Sequence, residues 1–136
     1  MLSHLSDEWV AALDEALRQF SAPSEAPSPL TVQYDFDEGP AYHLVLDALG
    51  ARARPGRAPA GADVGFTMSA EVAAALAAGR LATRAALLAG QVRVSGDASA
   101  LLRWAEAFGE VEAAVATLHG RTTYPSAGPR PARGAT

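Results

Sequence analysis

The side chains most suited to chemistry do not form a catalytic pattern in this sequence. It contains no Gly-x-Ser-x-Gly elbow, no phosphate-binding loop and no His-Glu-x-x-His pair. The histidines His4, His43 and His119 fall in unrelated segments, and most carboxylates stand at predicted helix starts or turns, where capping accounts for them. We therefore predict that the chain is not an enzyme and has no metal or cofactor, although folding could still bring scattered carboxylates together.

Composition argues against several other functions. The net charge of −4 disfavours nucleic-acid binding, which depends on a basic surface. The chain has no cysteine, so it can form neither a disulfide nor a thiolate zinc site, and this fits a reducing cytoplasm. All eleven basic residues are arginine. Together with the many alanines, this indicates a GC-rich coding genome and hence a bacterial source.

Hydrophobic residues make up 49% of the chain, enough to fill the core of one domain. The longest apolar stretches, such as 85–89, are far shorter than the ~20 residues of a membrane span. The N-terminus lacks the basic and apolar regions of a secretory signal. We predict a cytoplasmic protein without stable membrane insertion, with one domain over residues 1–120. Residues 121–136, rich in Pro, Gly and Arg, are predicted to be a disordered tail that does not support the fold.

The first half of the chain predicts a helix followed by a hairpin. Ser6 can cap an amphipathic helix whose apolar positions repeat from Trp9 to Phe20. Residues 21–29 contain three prolines and predict an extended linker. The apolar period then changes to two over residues 30–36 and 42–47, which predicts two paired strands.

Two parts of the predicted sheet, the position of His43 and the segment 49–62, have less regular patterns. His43 alternates with the apolar residues Tyr42 and Leu44, which predicts an exposed or half-buried strand position. Residues 49–62 alternate arginines with small residues and include Pro55 and Pro59. Because proline does not fit a central strand, this segment predicts a short, solvent-facing edge strand followed by a loop.

The second half predicts a strand, two short helices, a last strand and one or two final helices. A strand is predicted over 64–68, and a helix capped by Ser69 and ended by Gly79 over 70–78. A second helix is predicted from 81 or 83 to 89, ended by Gly90, and a last strand over 91–95. A helix capped by Asp97 or Ser99 then runs to Phe108, and after a pause at Gly109 a further helix or a continuation covers 111–118.

The order of elements from 63 to 108 resembles the sterol carrier protein type-2 family. The residues that carry the resemblance are Asp63, Ser69, Gly79, Gly90, Gly96 and Asp97. The first helix and the hairpin agree in order and spacing, so the resemblance extends over about residues 5–110. The chain departs from the family at Gln91, where a lysine is frequent, and in its Arg- and Pro-rich third strand.

The resemblance implies an α+β fold, in which helices cover one face of a twisted, largely antiparallel sheet of about five strands and an apolar tunnel lies between them. The tunnel would take a sterol, a fatty acid, a fatty acyl-CoA or another lipid, since each methylene removed from water contributes ~0.8 kcal/mol. The candidate lining residues are Phe66, Met68, Leu76, Leu81, Leu87, Leu88, Leu101, Leu102 and Phe108. Each of them could equally belong to an ordinary packed core.

Three functions stay open on these grounds. The leading one is non-catalytic binding or transfer of a lipid or other apolar small molecule. The alternative is an accessory domain that assists a partner enzyme of lipid, quinone or small-molecule metabolism, and the third is an enzyme with a site assembled from scattered residues. A homodimer is also possible. An apolar void of several hundred cubic ångströms would favour the carrier, whereas a filled core with an exposed apolar patch would favour the accessory domain.

Overall fold

The computed structural model describes residues 2–19, 29–37 and 40–124. Phe20, nearly all of the predicted linker and residues 125–136 of the predicted tail lie outside this part of the chain. The elements are β1 (Leu2–Ser3), α1 (Asp7–Ala16), β2 (Leu30–Phe36), β3 (Ala41–Asp47), β4 (Gly50–Pro55), β5 (Val64–Met68), α2 (Ala70–Ala77), α3 (Thr83–Leu88), β6 (Arg93–Gly96), α4 (Ala100–Arg103), α5 (Ala105–Leu118) and β7 (Thr122–Thr123).

The main sheet has five strands in the order β4-β3-β2-β5-β6. The β2–β5 pair is parallel, and the other three pairs are antiparallel. Successive side chains of a strand point to opposite faces, so the period of two in the sequence places the apolar residues of β2, β3 and β5 on one face, beneath the helices. The predicted α+β fold is confirmed.

The edge strand β4 forms where the Arg- and Pro-rich segment predicted it. Its arginines Arg52 and Arg54 are exposed, and the alanines that alternate with them, Ala51 and Ala53, are buried. Pro55 closes the strand at the sheet edge, where its missing N–H costs no hydrogen bond within the sheet. The carboxylate of Asp14 in α1 accepts a hydrogen bond from the Ala53 N–H (2.9 Å) and pairs with Arg54 (3.1 Å). These contacts hold the edge strand against α1.

The helices cover one face of the sheet. One half of that face forms a packed apolar core with α1. Its members from the sheet are Leu30, Val32, Leu44, Leu46 and Val64, and α1 adds Trp9, Val10 and Leu13. All of these side chains are almost fully buried. The helix begins as predicted at Ser6, whose hydroxyl accepts a hydrogen bond from the Trp9 N–H (3.1 Å).

The prediction that His43 is exposed or half-buried is wrong, because the loop after β4 covers the outer face of the sheet. His43 is only 7% exposed, and its Nδ1 lies 3.0 Å from the Gly56 carbonyl oxygen. Beside it, the buried Gln33 accepts a hydrogen bond from the Ala58 N–H and donates one to the Tyr42 carbonyl. Strand alternation alone does not show which loop folds back over a strand.

The last helices break at Trp104, not at Gly109. Helix α5 runs through Gly109 without interruption, whereas Trp104 leaves helical geometry, with φ −111° and ψ 23°. The Trp104 side chain is 1% exposed. Helix α4 therefore ends at this buried indole, whereas Gly109 does not interrupt α5, since a glycine within a helix costs only about 1 kcal/mol.

The predicted tail begins too early, because the fold continues past Gly120. Strand β7 pairs in parallel with β1 at the N-terminus. Thr122 is buried, and its hydroxyl donates to the Leu118 carbonyl oxygen (2.6 Å). The Tyr124 ring lies 4.9 Å from the His4 ring. Residues 121–124 therefore belong to the domain and hold the N-terminal segment in place.

A chain that ends at Gly120 is expected to melt at least about 5 °C below the full-length protein, because it loses the β1–β7 pairing and the contacts of Tyr124. Thermal melting followed by circular dichroism measures the difference. The control is a chain that ends at Tyr124, which keeps these contacts and should melt close to the full-length protein. Equal melting of all three chains would show that β7 adds nothing to stability.

Candidate functional site: an apolar cavity

Aromatic side chains occupy the other half of the helix-facing side of the sheet. Tyr34 in β2 stands opposite Tyr42 in β3 and Phe66 in β5. The Tyr34 ring stacks on the Tyr42 ring at 4.8 Å and on the Phe66 ring at 5.3 Å. Phe66 in turn makes an edge contact with Phe108 of α5 at 6.3 Å. A continuous row of rings therefore crosses from β3 to α5.

A partly enclosed cavity of about 780 Å³ lies between this row and helices α2, α3 and α5. Its apolar walls include Leu5, Phe36, Phe66, Met68, Ala73, Leu76, Ala77, Leu81, Leu87, Val92, Phe108, Val111 and Val115. The volume falls within the range of about 300–1,000 Å³ that is usual for ligand pockets. A cavity thus lies where the sequence predicted a tunnel, while continuity through the domain stays a prediction.

The two short helices explain why this space is not filled. Ser69 caps α2 by accepting from the Val72 N–H (3.1 Å). Gly79 follows α2 and Gly90 follows α3, both at φ +75°, a left-handed conformation that strongly favours glycine. The chain therefore turns twice around the cavity. The side chains of α2 that face the sheet are partly alanine, such as Ala77, and are too short to reach the opposite wall.

Six of the nine predicted lining residues lie around the cavity: Phe66, Met68, Leu76, Leu81, Leu87 and Phe108. Two others do not line it. Leu88 is 81% exposed because it sits about 100° around α3 from Leu87, and Leu102 is 82% exposed on the side of α4 away from the buried Ala100. The side chain of Leu101 lies outside the described part of the structure. Ligand contact by the six stays a prediction.

Several cavity residues were missed from the sequence, including Tyr34, Phe36, Tyr42, His4 and Glu112. The alternation of β2 and β3 does place the first three on one face, so pairing these strands with β5 would have found them. His4 and Glu112 carry no such signal. His4 reaches the cavity only because β1 pairs with β7 at the far end of the chain.

His4 is a buried, uncharged member of the cavity wall. Its ring makes edge contacts with Trp9 and with Tyr124, both at 4.9 Å between centroids. Burial lowers the pKa of His4 to about 4. The imidazole is therefore neutral near pH 7. The next residue, Leu5, has φ 69°, a rare left-handed conformation for a branched side chain, and it also lines the cavity.

The tyrosines Tyr34 and Tyr42 add two neutral hydroxyl groups. Burial raises the pKa of Tyr42 well above its usual value, and Tyr34 adds to the rise. The pKa of Tyr34 is raised mainly by burial and, to a smaller extent, by the negative charge of Glu112. Both phenols therefore stay protonated near neutral pH. Across the cavity, the Thr83 hydroxyl donates to Oε2 of Glu112 at 2.6 Å.

The other residues that carried the family resemblance also have structural roles. The Asp63 carboxylate accepts a hydrogen bond from the Thr31 N–H (2.9 Å), which fixes the start of β5 against β2. Gly96 has φ +83° where β6 ends beside Asp63. The Asp97 carboxylate accepts hydrogen bonds from the N–H and hydroxyl of Ser99, and these bonds lower the pKa of Asp97. None of these three lines the cavity.

The described residues, 2–19, 29–37 and 40–124, contain neither a cluster of metal-ligating side chains nor a membrane-spanning helix. No group of three or more His, Asp or Glu side chains in these ranges is arranged to hold a metal ion. No helix in the same ranges is both long enough and apolar enough to cross a membrane.

The fold and its site define a small α+β domain built around an internal apolar cavity. The family model described as the SCP-2 sterol transfer family matches residues 10–109. The chain belongs to this family. Among curated proteins, none matches the sequence significantly.

Solved structures share the fold. A crystal structure of sterol carrier protein 2 has a TM-score of 0.67 and 19% identity, over 84% of this chain and 98% of the other. The solution structure of a conserved hypothetical protein from Thermus thermophilus, described as possibly a sterol carrier protein, has a TM-score of 0.61 and 22% identity, over 94% and 96% of the two chains. The ubiquinone synthesis protein UbiJ-SCP2 has a TM-score of 0.56 and 17% identity, over 77% and 94%. At these identities the likeness concerns the fold alone.

Proposed function

We propose that the protein binds a sterol, fatty acid, fatty acyl-CoA or other lipid in the cavity and carries it without changing it chemically. The observation that carries this proposal is the cavity of about 780 Å³ with mainly apolar walls. Packed protein interiors contain few voids larger than a water molecule. A cavity of this size in a domain of 136 residues is therefore better suited to holding a guest than to stabilising the fold.

The energetics of the cavity suit an aliphatic guest. Burying ten methylenes would contribute roughly 8 kcal/mol before the entropic cost of association is subtracted. This gain needs no precise polar contact, so one cavity can accept several lipids. Met68 supports such tolerance, because its flexible thioether adapts to different shapes.

The roles of the other reactive side chains support a non-catalytic carrier. The His43 ring is engaged by the Gly56 carbonyl outside the cavity wall. Asp97 is engaged by Ser99 and by Arg103 at 3.1 Å. His4 lines the cavity but packs against Trp9 and Tyr124. None of these arrangements activates a nucleophile in the way that acyl transfer requires. The cytoplasmic location stays a prediction from the sequence.

Native mass spectrometry tests this function on protein purified from its own cells. We expect a population heavier than the bare chain by the mass of one lipid, and we expect organic extraction to remove that mass. The extracted protein should then bind a fluorescent fatty acid at one site per chain. Protein that carries no lipid and binds no fluorescent fatty acid would contradict the proposal.

An accessory role for a partner enzyme is the second candidate. Among the described side chains, three large apolar ones are exposed, Leu49 at 87%, Leu88 at 81% and Leu102 at 82%. A structural neighbour is named for ubiquinone synthesis. Such leucines could contact a partner enzyme that uses the bound lipid, or a second copy of this chain. Sedimentation of the wild type and of Leu88→Gln would identify a homodimer, and co-purification from the source cell would identify an enzyme.

A further inference from the structure

The cavity is not uniformly apolar, because polar side chains stand on two of its walls. On the sheet wall, Tyr34 and Tyr42 are cross-strand partners with near-parallel rings, 4.8 Å apart and inclined by 13°. Side chains at paired positions leave the sheet on the same face, so both phenols project toward the helices. On the helical wall, Thr83 of α3 and Glu112 of α5 are joined by their 2.6 Å hydrogen bond. All four residues line the same cavity.

The charges around this point favour an uncharged guest. Two protonated phenols can donate to an oxygen atom of the guest, or accept from it. The Glu112 carboxylate has several lone-pair positions besides the one that Thr83 occupies, so it can accept from a guest hydroxyl. A guest carboxylate would instead meet the like charge of Glu112, whose side chain is exposed, so that solvent weakens the repulsion without abolishing it. Burial is the main cause of the raised pKa of Tyr34, and the negative charge of Glu112 adds to it.

We propose that Tyr34, Tyr42 and Glu112 form a polar subsite within the cavity that takes the uncharged oxygen end of a lipid, a hydroxyl or a carbonyl, and that Glu112 disfavours free carboxylates. This inference rests on the proposed lipid-binding function and names the class of lipid that the cavity prefers. The tyrosines supply the neutral hydrogen bonds, and Glu112 supplies the discrimination.

Arg84 is the side chain that opposes this preference. It also lines the cavity, and it could attract a carboxylate. Its side chain is exposed, and so is that of Glu112, so water and salt screen both charges. Glu112 is held by the bond from Thr83 and acts on a buried phenol. Glu112 should therefore dominate the selection, and the two residues can be separated by substitutions that remove one charge each.

The experiment compares 1-dodecanol with dodecanoate, which have tails of similar length and different polar ends. Each displaces the neutral fluorescent probe N-phenyl-1-naphthylamine from delipidated full-length protein at pH 8. We expect the wild type to bind dodecanol more tightly by about threefold, as expected for one like-charge contact that solvent partly screens. Glu112→Gln keeps an acceptor for Thr83 and should reduce that ratio by about twofold, mainly by strengthening dodecanoate. Tyr34→Phe should weaken dodecanol by about threefold relative to the probe.

Glu106→Gln is the matched control, because Glu106 is an exposed carboxylate on the same helix that does not line the cavity. It should keep the wild-type ratio, and Arg84→Gln should change the ratio less than Glu112→Gln does. A ratio that Glu112→Gln leaves unchanged would overturn the inference while the lipid-binding proposal stands. Preference for dodecanoate that disappears in Arg84→Gln would also overturn it, and would assign a carboxylate subsite. A protein that binds neither the probe nor either ligand would overturn both proposals together.

Discussion

Ala77→Trp is expected to abolish binding of a fluorescent fatty acid while moving Tm by no more than about 3 °C, the equivalent of roughly 1 kcal/mol. Ala77 lies on α2, is 9% exposed and lines the cavity. An indole at this position would enter empty space instead of displacing packed atoms. It would occupy the volume in which an acyl chain would lie. Fluorescence titration and thermal melting on the same preparation give the two readings.

Ala86→Trp is the matched control. Ala86 of α3 is fully buried within the core and does not line the cavity. Overpacking at such a site costs about 1–3 kcal/mol or more. The sequence alone does not separate these alanines, because both stand in alanine-rich helices, whereas their positions relative to the cavity do. If Ala77→Trp is as unstable as Ala86→Trp, or still binds the fatty acid, then α2 does not border a usable cavity.

Gly96→Ala is expected to lower the free energy of unfolding by at least about 2 kcal/mol, since it combines backbone strain with a steric clash. Gly96 has φ +83°, and a Cβ added there would meet the backbone oxygen of Asp63 at contact distances that cannot be accommodated without a shift. The clash falls where Gly96 pairs with Val64 and the Asp97 N–H donates to the Asp63 carbonyl (2.8 Å). Chemical denaturation measures the loss.

The same substitution at Gly109 serves as the comparison. Gly109 lies within α5, and a Cβ there has no atom within 4 Å. Gly109→Ala should therefore raise stability by about 0.5–1 kcal/mol, because alanine loses less backbone entropy in a helix. Stabilisation by Gly96→Ala would contradict the strain and clash described at Gly96. If Gly109→Ala does not stabilise the protein, the expected entropic gain in α5 is wrong.

The elements were largely predictable because their local signals agree with their burial. The strands β2 and β5 keep a strict apolar period, and the helices α1 and α2 begin at serines whose hydroxyls accept the expected hydrogen bonds. The glycines Gly79 and Gly90 adopt the left-handed geometry that was inferred from their positions. Each of these signals depends on residues close in the sequence, and this is the range over which such signals are reliable.

The features that the sequence did not predict depend on contacts between distant segments. The β1–β7 pairing joins the two ends of the domain and brings His4 to the cavity, a contact that no local period reveals. Leu87 and Leu88 are equivalent in the sequence, yet only Leu87 faces the cavity, since the orientation of a short helix is set by packing. Glu112 resembles any surface carboxylate of an amphipathic helix until the fold places Thr83 beside it.

The central claim, that a lipid occupies the interior, is tested most directly by NMR with a spin-labelled fatty acid added to isotope-labelled protein. The account predicts that one equivalent broadens the signals of Phe66, Met68 and Leu87, which line the cavity, and leaves those of the exposed Leu49 and Leu102 sharp. An excess of unlabelled fatty acid should restore the broadened signals. Broadening confined to the exposed leucines, or no broadening at all, would contradict an internal lipid site.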